Sequence, residues 1–276
     1  MVPGSTPRVS VCLPVYNGGA FLGPAVASVL GQTFPDFELR ICDDASTDGS
    51  WERVQALEDP RVVRMRNPRN LGPEANWNRS LEGARGDCIK LFHQDDLLEP
   101  DCLGRQLAAL DAEPGAALAF CRRRILSPAG KVLMTRGPRW RPGPVTLRQV
   151  FRACLGSGSN PIGEPSAVLF RRRAAQAAGA FDGREPYLID LDYWFRLMDH
   201  GCAVYLDQPL ASFRQWGGQW SAVIGQRQSR QFRVFIRRMA AERFPETPRV
   251  LLGWSGLMAE RNQLLRGVIA RWAGRR

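Results

Sequence analysis

The sequence predicts an α/β fold: a doubly wound, mostly parallel sheet with a small antiparallel element and a C-terminal helical extension. Three observations predict it. Short β-rich runs alternate with helical stretches from residue 8 to residue 126, their connections are short, and beyond residue 213 strands give way to two amphipathic stretches. The balance of 276 residues, 44% hydrophobic and 24% charged, is that of a folded globular chain and excludes disorder, collagen and small disulfide scaffolds.

Taken in order, RVSVCLPV (8–15) reads as a buried strand, and AFLGPAVASVL (20–30) places Phe21, Ala25, Val29 and Leu30 at helical spacing. FELRIC (37–42) is the second strand, after which Ser46 or Thr47 offers a cap to a helix over SWERVQAL. RVVRMR (61–66) is a third strand, PEANWNRSLEGA (73–84) a helix and DCIKLFH (87–93) a fourth strand. Pro100 suits the first turn of a helix reaching Leu110, and ALAFCRRRIL (117–126) is a fifth strand. LSPAGKVL (126–133) predicts a hairpin turning at Gly130, and RGPRWRPGPV (136–145) a Pro/Gly loop. TLRQVFRACL (146–155) is a helix, GSGSNPIGEP (156–165) a loop and SAVLFRR (166–172) a strand. A helix from Asp190 to His200 and a short strand AVYLD (203–207) close the body.

The division that follows is a body over 1–213, split into halves 8–103 and 104–213, and a basic helical extension over 214–276. The extension holds two apolar stripes, Phe232, Phe235, Ile236, Met239 and Ala240, then Leu264, Leu265, Val268, Ile269 and Trp272. It also holds the charge. Of the formal net +11, residues 214–276 carry +10 through 13 Arg and 3 Glu, which leaves the body nearly neutral. Such a tail suits an anionic membrane surface, packing on the body, or a second copy in a homodimer. No window reaches the ~18 apolar residues of a membrane span. MVPGSTPR lacks the apolar segment of a secretory signal, and the seven cysteines form no CxxC pair and sit mostly in apolar runs. A reducing cytoplasm is the expected compartment, with a peripheral position on the inner face of the cell membrane.

In open parallel sheets ligands collect beyond the carboxyl ends of the strands. Strand one ends in Pro14-Val15-Tyr16-Asn17, strand two in Asp43-Asp44-Ala45-Ser46-Thr47-Asp48-Gly49 and strand four in His93-Gln94-Asp95-Asp96. No glycine-rich phosphate loop follows any strand. An acidic edge repels a diphosphate unless a divalent cation lies between them, yet it accepts hydrogen bonds from a uracil imide or ribose hydroxyls. The pattern therefore fits a metal-bridged nucleotide. Asp44-x-Ser46-x-Asp48-Gly49 matches half of a calcium loop, but its twelfth position is Gln55 and a strand precedes it, which argues against that reading.

The runs VSVCLPVYNGGAFLGPAVASVLGQTFPDFELRICDDASTDGS and NLGPEANWNRSLEGARGDCIKLFHQDDLLEPDCL resemble, in order, the nucleotide-binding half of the family 2 glycosyltransferases of GT-A fold. The resemblance spans about Val9 to Leu103, and weaker features continue to about residue 221. It implies a first nucleotide-contacting loop at Pro14, Tyr16 and Asn17, with Tyr16 against the base, and Asp44 bonding the base. It also implies a DXD-type motif with Asp95 near the ribose or sugar and Asp96 as the metal ligand. His93 stands where that motif often has an acid. The implied cofactor is Mn2+ or Mg2+, and the implied donor a nucleoside-diphosphate sugar, UDP-type favoured.

In YLIDLDYWFRL the resemblance makes Asp190 the catalytic base, which takes the acceptor hydroxyl's proton in an inverting transfer. A capping role for Asp190 on the following helix competes with this, and Asp192 is the reserve candidate. Ile189 replaces a frequent Glu, which dries the pocket and raises the Asp190 pKa. Glu164 and Trp194 are candidate acceptor contacts, Trp194 being equally a core residue, and Arg214 is a candidate diphosphate contact beside Trp216, where a His is frequent. The implied activity is a metal-dependent inverting glycosyltransferase that acts on a saccharide or lipid-linked saccharide acceptor in surface polysaccharide assembly. Two other classes compete. A sugar-phosphate nucleotidylyltransferase needs a basic loop after strand one, and PVYNGGAF has no Lys or Arg. A nucleic-acid-binding protein rests only on the Arg-rich tail and its tryptophans, with no accompanying motif.

Overall fold

The computed structural model describes residues 6–220, 224 and 227–273, the side chains of 266–273 excepted. Among the described residues ten strands form one sheet, β1 Val9–Val15, β2 Phe37–Asp43, β3 Val62–Arg66, β4 Cys88–Leu91, β5 Leu97–Leu98, β6 Ala116–Leu126, β7 Val132–Arg136, β8 Gly143–Val145, β9 Val168–Arg171 and β10 Cys202–Arg214. Their order is β3-β2-β1-β4-β9-β6-β10-β5, with β7 paired to β6 and β8 to β10. The pairs β3-β2, β2-β1, β1-β4 and β6-β10 are parallel, while β9 is antiparallel to both β4 and β6. This is the expected doubly wound sheet.

The helices are α1 Leu22–Leu30, α2 Ser50–Gln55, α3 Pro73–Leu81, α4 Cys102–Ala112, α5 Leu147–Ser157, α6 Arg172–Ala178, α7 Ile189–Met198, α8 Gln228–Arg243 and α9 Arg249–Ala273. Two buried clusters fill the two faces of the sheet. One joins β1 and β2 to α1 and α4 through Val11, Leu39, Val29 and Leu103. The other joins α5, α7 and α8 through Phe151, Trp194, Phe195 and Phe235. All seven cysteines are free, six of them buried.

Several expectations need correction. The N-cap of α2 is Gly49 and not Ser46 or Thr47, and just before it Asp48 Oδ1 accepts from Ser50 N at 3.0 Å. Ser46 Oγ accepts instead from Asn17 N at 2.9 Å, and Thr47 N donates to Asn17 Oδ1. The strand expected over 203–207 runs from Cys202 to Arg214. Pro209 marks an apparent end because it has no N–H to give, but the ladder shifts register on either side of it and continues. The hairpin turns at Gly130 as expected, with φ at 84°. The expected 136–145 loop contains β8, and α6 follows β9 where no helix was expected.

The first tail stripe is core: Phe232, Phe235, Ile236, Met239 and Ala240 are all buried. In the second, Leu264 and Leu265 are exposed, while Val268, Ile269 and Trp272 lie outside the described side chains.

Candidate active site

The loops after β1 and β2 are laced together. Besides the Asn17 bonds, Gly18 N donates to Ser50 Oγ and Gly19 N to Asp48 Oδ2. Asn17 sits at φ 49° and Ala45 at φ 59°, left-handed turns held by this lacing. Pro14 lies within β1, one residue before its end, and Tyr16 is 45% exposed just beyond it. Gln94 clamps Tyr16 to the motif loop by two bonds of 2.9 Å, accepting from Tyr16 N and donating to Tyr16 O. Pro14, Tyr16, Asn17 and Asp44 therefore share one sheet edge with Asp95, as the sequence predicts.

Asp44 is more committed than expected. It is buried, its Oδ1 accepts from Asn67 Nδ2 at 2.7 Å and Leu71 N at 2.9 Å, and its Oδ2 accepts from Gly72 N at 3.0 Å. The carboxylate folds the 67–72 loop against the edge, and only spare lone pairs remain for a base. Asp48 is likewise spent on Gly19 N and Ser50 N, so the half calcium motif does not converge.

The acidic motif splits into two different groups. Asp96, expected to hold the metal, is fully buried, with Oδ2 accepting from Ser166 Oγ at 2.5 Å and Oδ1 from Arg214 N at 3.1 Å. Burial, and then the charge of Asp95, push its pKa well above the ordinary carboxylate value. It is a strut that ties the motif loop to β10 and to the turn before β9. Asp95 is the half-buried member, with Oδ2 accepting from Trp216 Nε1 at 2.7 Å and Oδ1 without a hydrogen bond among the described residues. Among the described residues no three His, Cys, Asp or Glu side chains converge as a metal cage. A cation here would be held by the Asp95 carboxylate and completed by ligand phosphates and water, a donor set that suits Mg2+ or Mn2+.

Arg214 does not stand free for a diphosphate. It is buried, its Nε donates to Asp95 O and its Nη1 to Ser127 O and Pro128 O, and its guanidinium lies 4.8 Å from the Phe21 ring centre. It latches motif, hairpin and β10 together. Trp194 is also corrected: it is fully buried, and its indole donates to Gly163 O at 3.0 Å. It positions the loop from below and offers no face to an acceptor.

Asp190 lies in the first turn of α7, where Oδ1 accepts from Leu191 N at 2.7 Å and Oδ2 from Asn160 Nδ2 at 3.2 Å. Burial, then the Glu164 charge, raise its pKa to about 7. Glu164 is itself pushed up by burial, but the charge and hydrogen bonds of Arg123, helped by Arg136, outweigh this and hold it below its ordinary value. Two carboxylates close enough to feel each other's charge thus shift in opposite directions, one poised near neutrality and one ionised. Asp192 is excluded as the reserve. It is buried between Arg196 at 2.8 Å and Arg238 at 2.9 Å.

Sequence reasoning missed the supports. Lys90 is fully buried and donates to Ser166 O and Val168 O, fixing the turn that carries Ser166. Arg123, in the run Arg122-Arg123-Arg124, points to the opposite face from its neighbours, which the period of two along a strand could have signalled. His93 packs tilted against Trp77, ring centres 4.8 Å apart, and burial lowers its pKa; its Nε2 is buried with no partner among the described residues.

Residues 10–178 match the model of Glycosyl transferase family 2. The putative glycosyltransferase EpsE of Bacillus subtilis is 36% identical over 220 residues, covering 76% of this chain and 74% of that protein. The chondroitin synthase of Pasteurella multocida is 34% identical over 204 residues, covering 73% of this chain but only 20% of that protein. The fold resembles Staphylococcus aureus TarS 1–349 in complex with UDP-GlcNAc, at TM-score 0.68 and 19% identity over 85% of this chain and 66% of that one. It also resembles the mannosyltransferase PcManGT of Pyrobaculum calidifontis in complex with GDP-Man and Mn2+, at TM-score 0.65 and 19% identity over 97% and 77%. The α/β architecture is that of the GT-A enzymes, and the chain is a glycosyltransferase that belongs to Glycosyl transferase family 2.

Proposed function

We propose that the chain is a metal-dependent, inverting transferase that moves a sugar from a nucleoside-diphosphate sugar to a saccharide or lipid-linked saccharide acceptor in surface polysaccharide assembly. The observation that carries this reading is the pairing of one open carboxylate, Asp95, on the nucleotide edge with one near-neutral carboxylate, Asp190, in the second half. The likeness to a chondroitin synthase and to folds titled with UDP-GlcNAc, GDP-Man and Mn2+ supports it.

Tyr16 supplies an exposed ring for the base, and the spare lone pairs of Asp44 and its loop amides frame the base edge. A divalent cation on Asp95 would neutralise the diphosphate as it leaves. Asp190, near half-ionised at neutral pH, takes the proton from the acceptor hydroxyl as that oxygen attacks the anomeric carbon from the face opposite the diphosphate. Asn160 holds the carboxylate's Oδ2, while Glu164 stays ionised and keeps Asp190 basic. We assign 1–213 as the catalytic unit, with 8–103 for the donor and 104–213 for the acceptor, and 214–276 as the extension that completes its core. A cytoplasmic site, peripheral on the inner membrane face, belongs to the same reading.

A thermal-shift panel of nucleoside diphosphates and their sugars, with and without Mn2+, tests it. A Mn2+-dependent rise with one diphosphate and its sugar, UDP first, is the expected result. No shift with any member would overturn the reading.

A further inference from the structure

The helix α9 turns most of its large apolar side chains outward. Its inward face buries Ser255, Gly256 and Ala259 and packs Leu252 on the core, whereas Val250, Leu251, Trp254, Leu257, Leu264 and Leu265 face solvent. These are six of the twelve large apolar side chains exposed among the described residues. At 100° per residue Val250, Trp254, Leu257, Leu264 and Leu265 fall on one arc, opposite Ala259, and exposed Arg261 lies in its middle. The 25-residue helix is about 37 Å long at 1.5 Å per residue. No helix among the described residues is long and apolar enough to cross a membrane.

Charge decides what covers this face. Residues 249–276 contain Arg249, Arg261, Arg266, Arg271, Arg275 and Arg276 against the single acid Glu260, which is paired with Arg233 on α8. A second copy docked through the same face would bring Arg261 and its neighbours against their own images. An anionic surface meets both the apolar arc and this excess of arginine.

We infer that the outward face of α9 lies flat on an anionic phospholipid surface and brings to it the loop that follows α5, which carries Asn160 and Glu164. The helix is seated on that loop. Asn262 Nδ2 donates to Ser157 O and Gly158 O, and Trp254 Nε1 to Gly156 O. Gly158, at φ +64°, permits the contact, since a Cβ there would come within 2.4 Å of Ala259 N. Two residues on, Asn160 bonds Asp190. Resting on the transferase reading, this makes the acceptor a lipid-linked saccharide taken from the same surface.

The test is co-sedimentation of the full chain with phosphatidylcholine vesicles, with and without phosphatidylglycerol. Binding only to the phosphatidylglycerol vesicles, weakened by salt, is expected, and Leu257→Glu with Leu264→Glu should reduce it at least about tenfold. The Mn2+-dependent shift with UDP should stay unchanged in that variant. Equal binding by variant and wild type, binding equally to both vesicles, or binding to neither overturns the inference. So does a wild-type dimer that the variant converts to a monomer, because α9 then docks on a second copy. If vesicle binding holds while no nucleotide shifts the melt, the transferase reading fails and the surface stands.

Discussion

Asp190 carries a sign that can be checked in two ways. A carboxyl near pKa 7 is half protonated at neutrality, so turnover should climb as pH rises through about 7. The folded protein binds this proton more tightly than the unfolded chain. Asp190 therefore contributes stability that is complete below about pH 4 and lost as pH rises toward about 7. Asp190→Asn should keep the UDP shift, lower transfer by about a hundredfold to ten-thousandfold, and melt higher than wild type at pH 8. Wild-type turnover in that variant would remove Asp190 from the base role. The neighbouring pair Asp95 and Asp96 should separate just as cleanly. Asp95→Asn should abolish the Mn2+ enhancement of UDP binding with little change in Tm. Asp96→Ala leaves Ser166 Oγ and Arg214 N without their partner and should cost about 1–3 kcal/mol. A melt of Asp96→Ala equal to wild type would show that the strut bears no weight.

At the scale of elements, α7 is held from two sides. Arg196 Nη1 donates to Ala178 O behind it, and Arg238 of α8 bridges Asp192 and Glu185 in front. Arg238→Ala would leave Asp192 and Glu185 buried beside a lost charge, at a cost of about 2–4 kcal/mol, and would loosen the turn that sets Asp190. Chemical denaturation reads the first effect; a drop in kcat larger than the change in donor KM reads the second. Neither Arg238 nor its bridge was legible in the sequence, because ion pairs between distant helices leave no periodic trace. What periodicity records is local. It found β1, α1, β2 and α3 with their edges nearly right, since each is decided by its own apolar spacing. It stopped β10 at Asp207 because Pro209 reads as a terminator, and the neighbouring β6 ladder overrides that locally. The acidic motif is legible as a place but not as roles: adjacent residues on a turn face opposite ways, so Asp96 is buried while Asp95 stays half-exposed beside Trp216.

For the whole molecule the charge map misleads in an instructive way. It divides the chain at residue 214 into a neutral body and a +10 tail, yet the apolar packing crosses that line. Phe235 meets Phe195 edge-on at 5.2 Å, and Phe244 stacks on Phe151 at 4.3 Å. Gln231 accepts from Tyr187 N, and Arg243 pairs with Asp199 at 2.7 Å. Removing a buried Phe costs about 3–5 kcal/mol, and α8 with its C-terminal turn contributes three, Phe232, Phe235 and Phe244. Their sum approaches the whole stability of a domain, about 5–15 kcal/mol. A chain ending at residue 225 should therefore fail to fold cooperatively and be recovered insoluble, while Phe235→Ala in the full chain should fold with about 3 kcal/mol less stability. If the shortened chain is soluble, melts in one transition and still shifts with UDP, the helices are an appendage after all, and the core across residue 214 is dispensable.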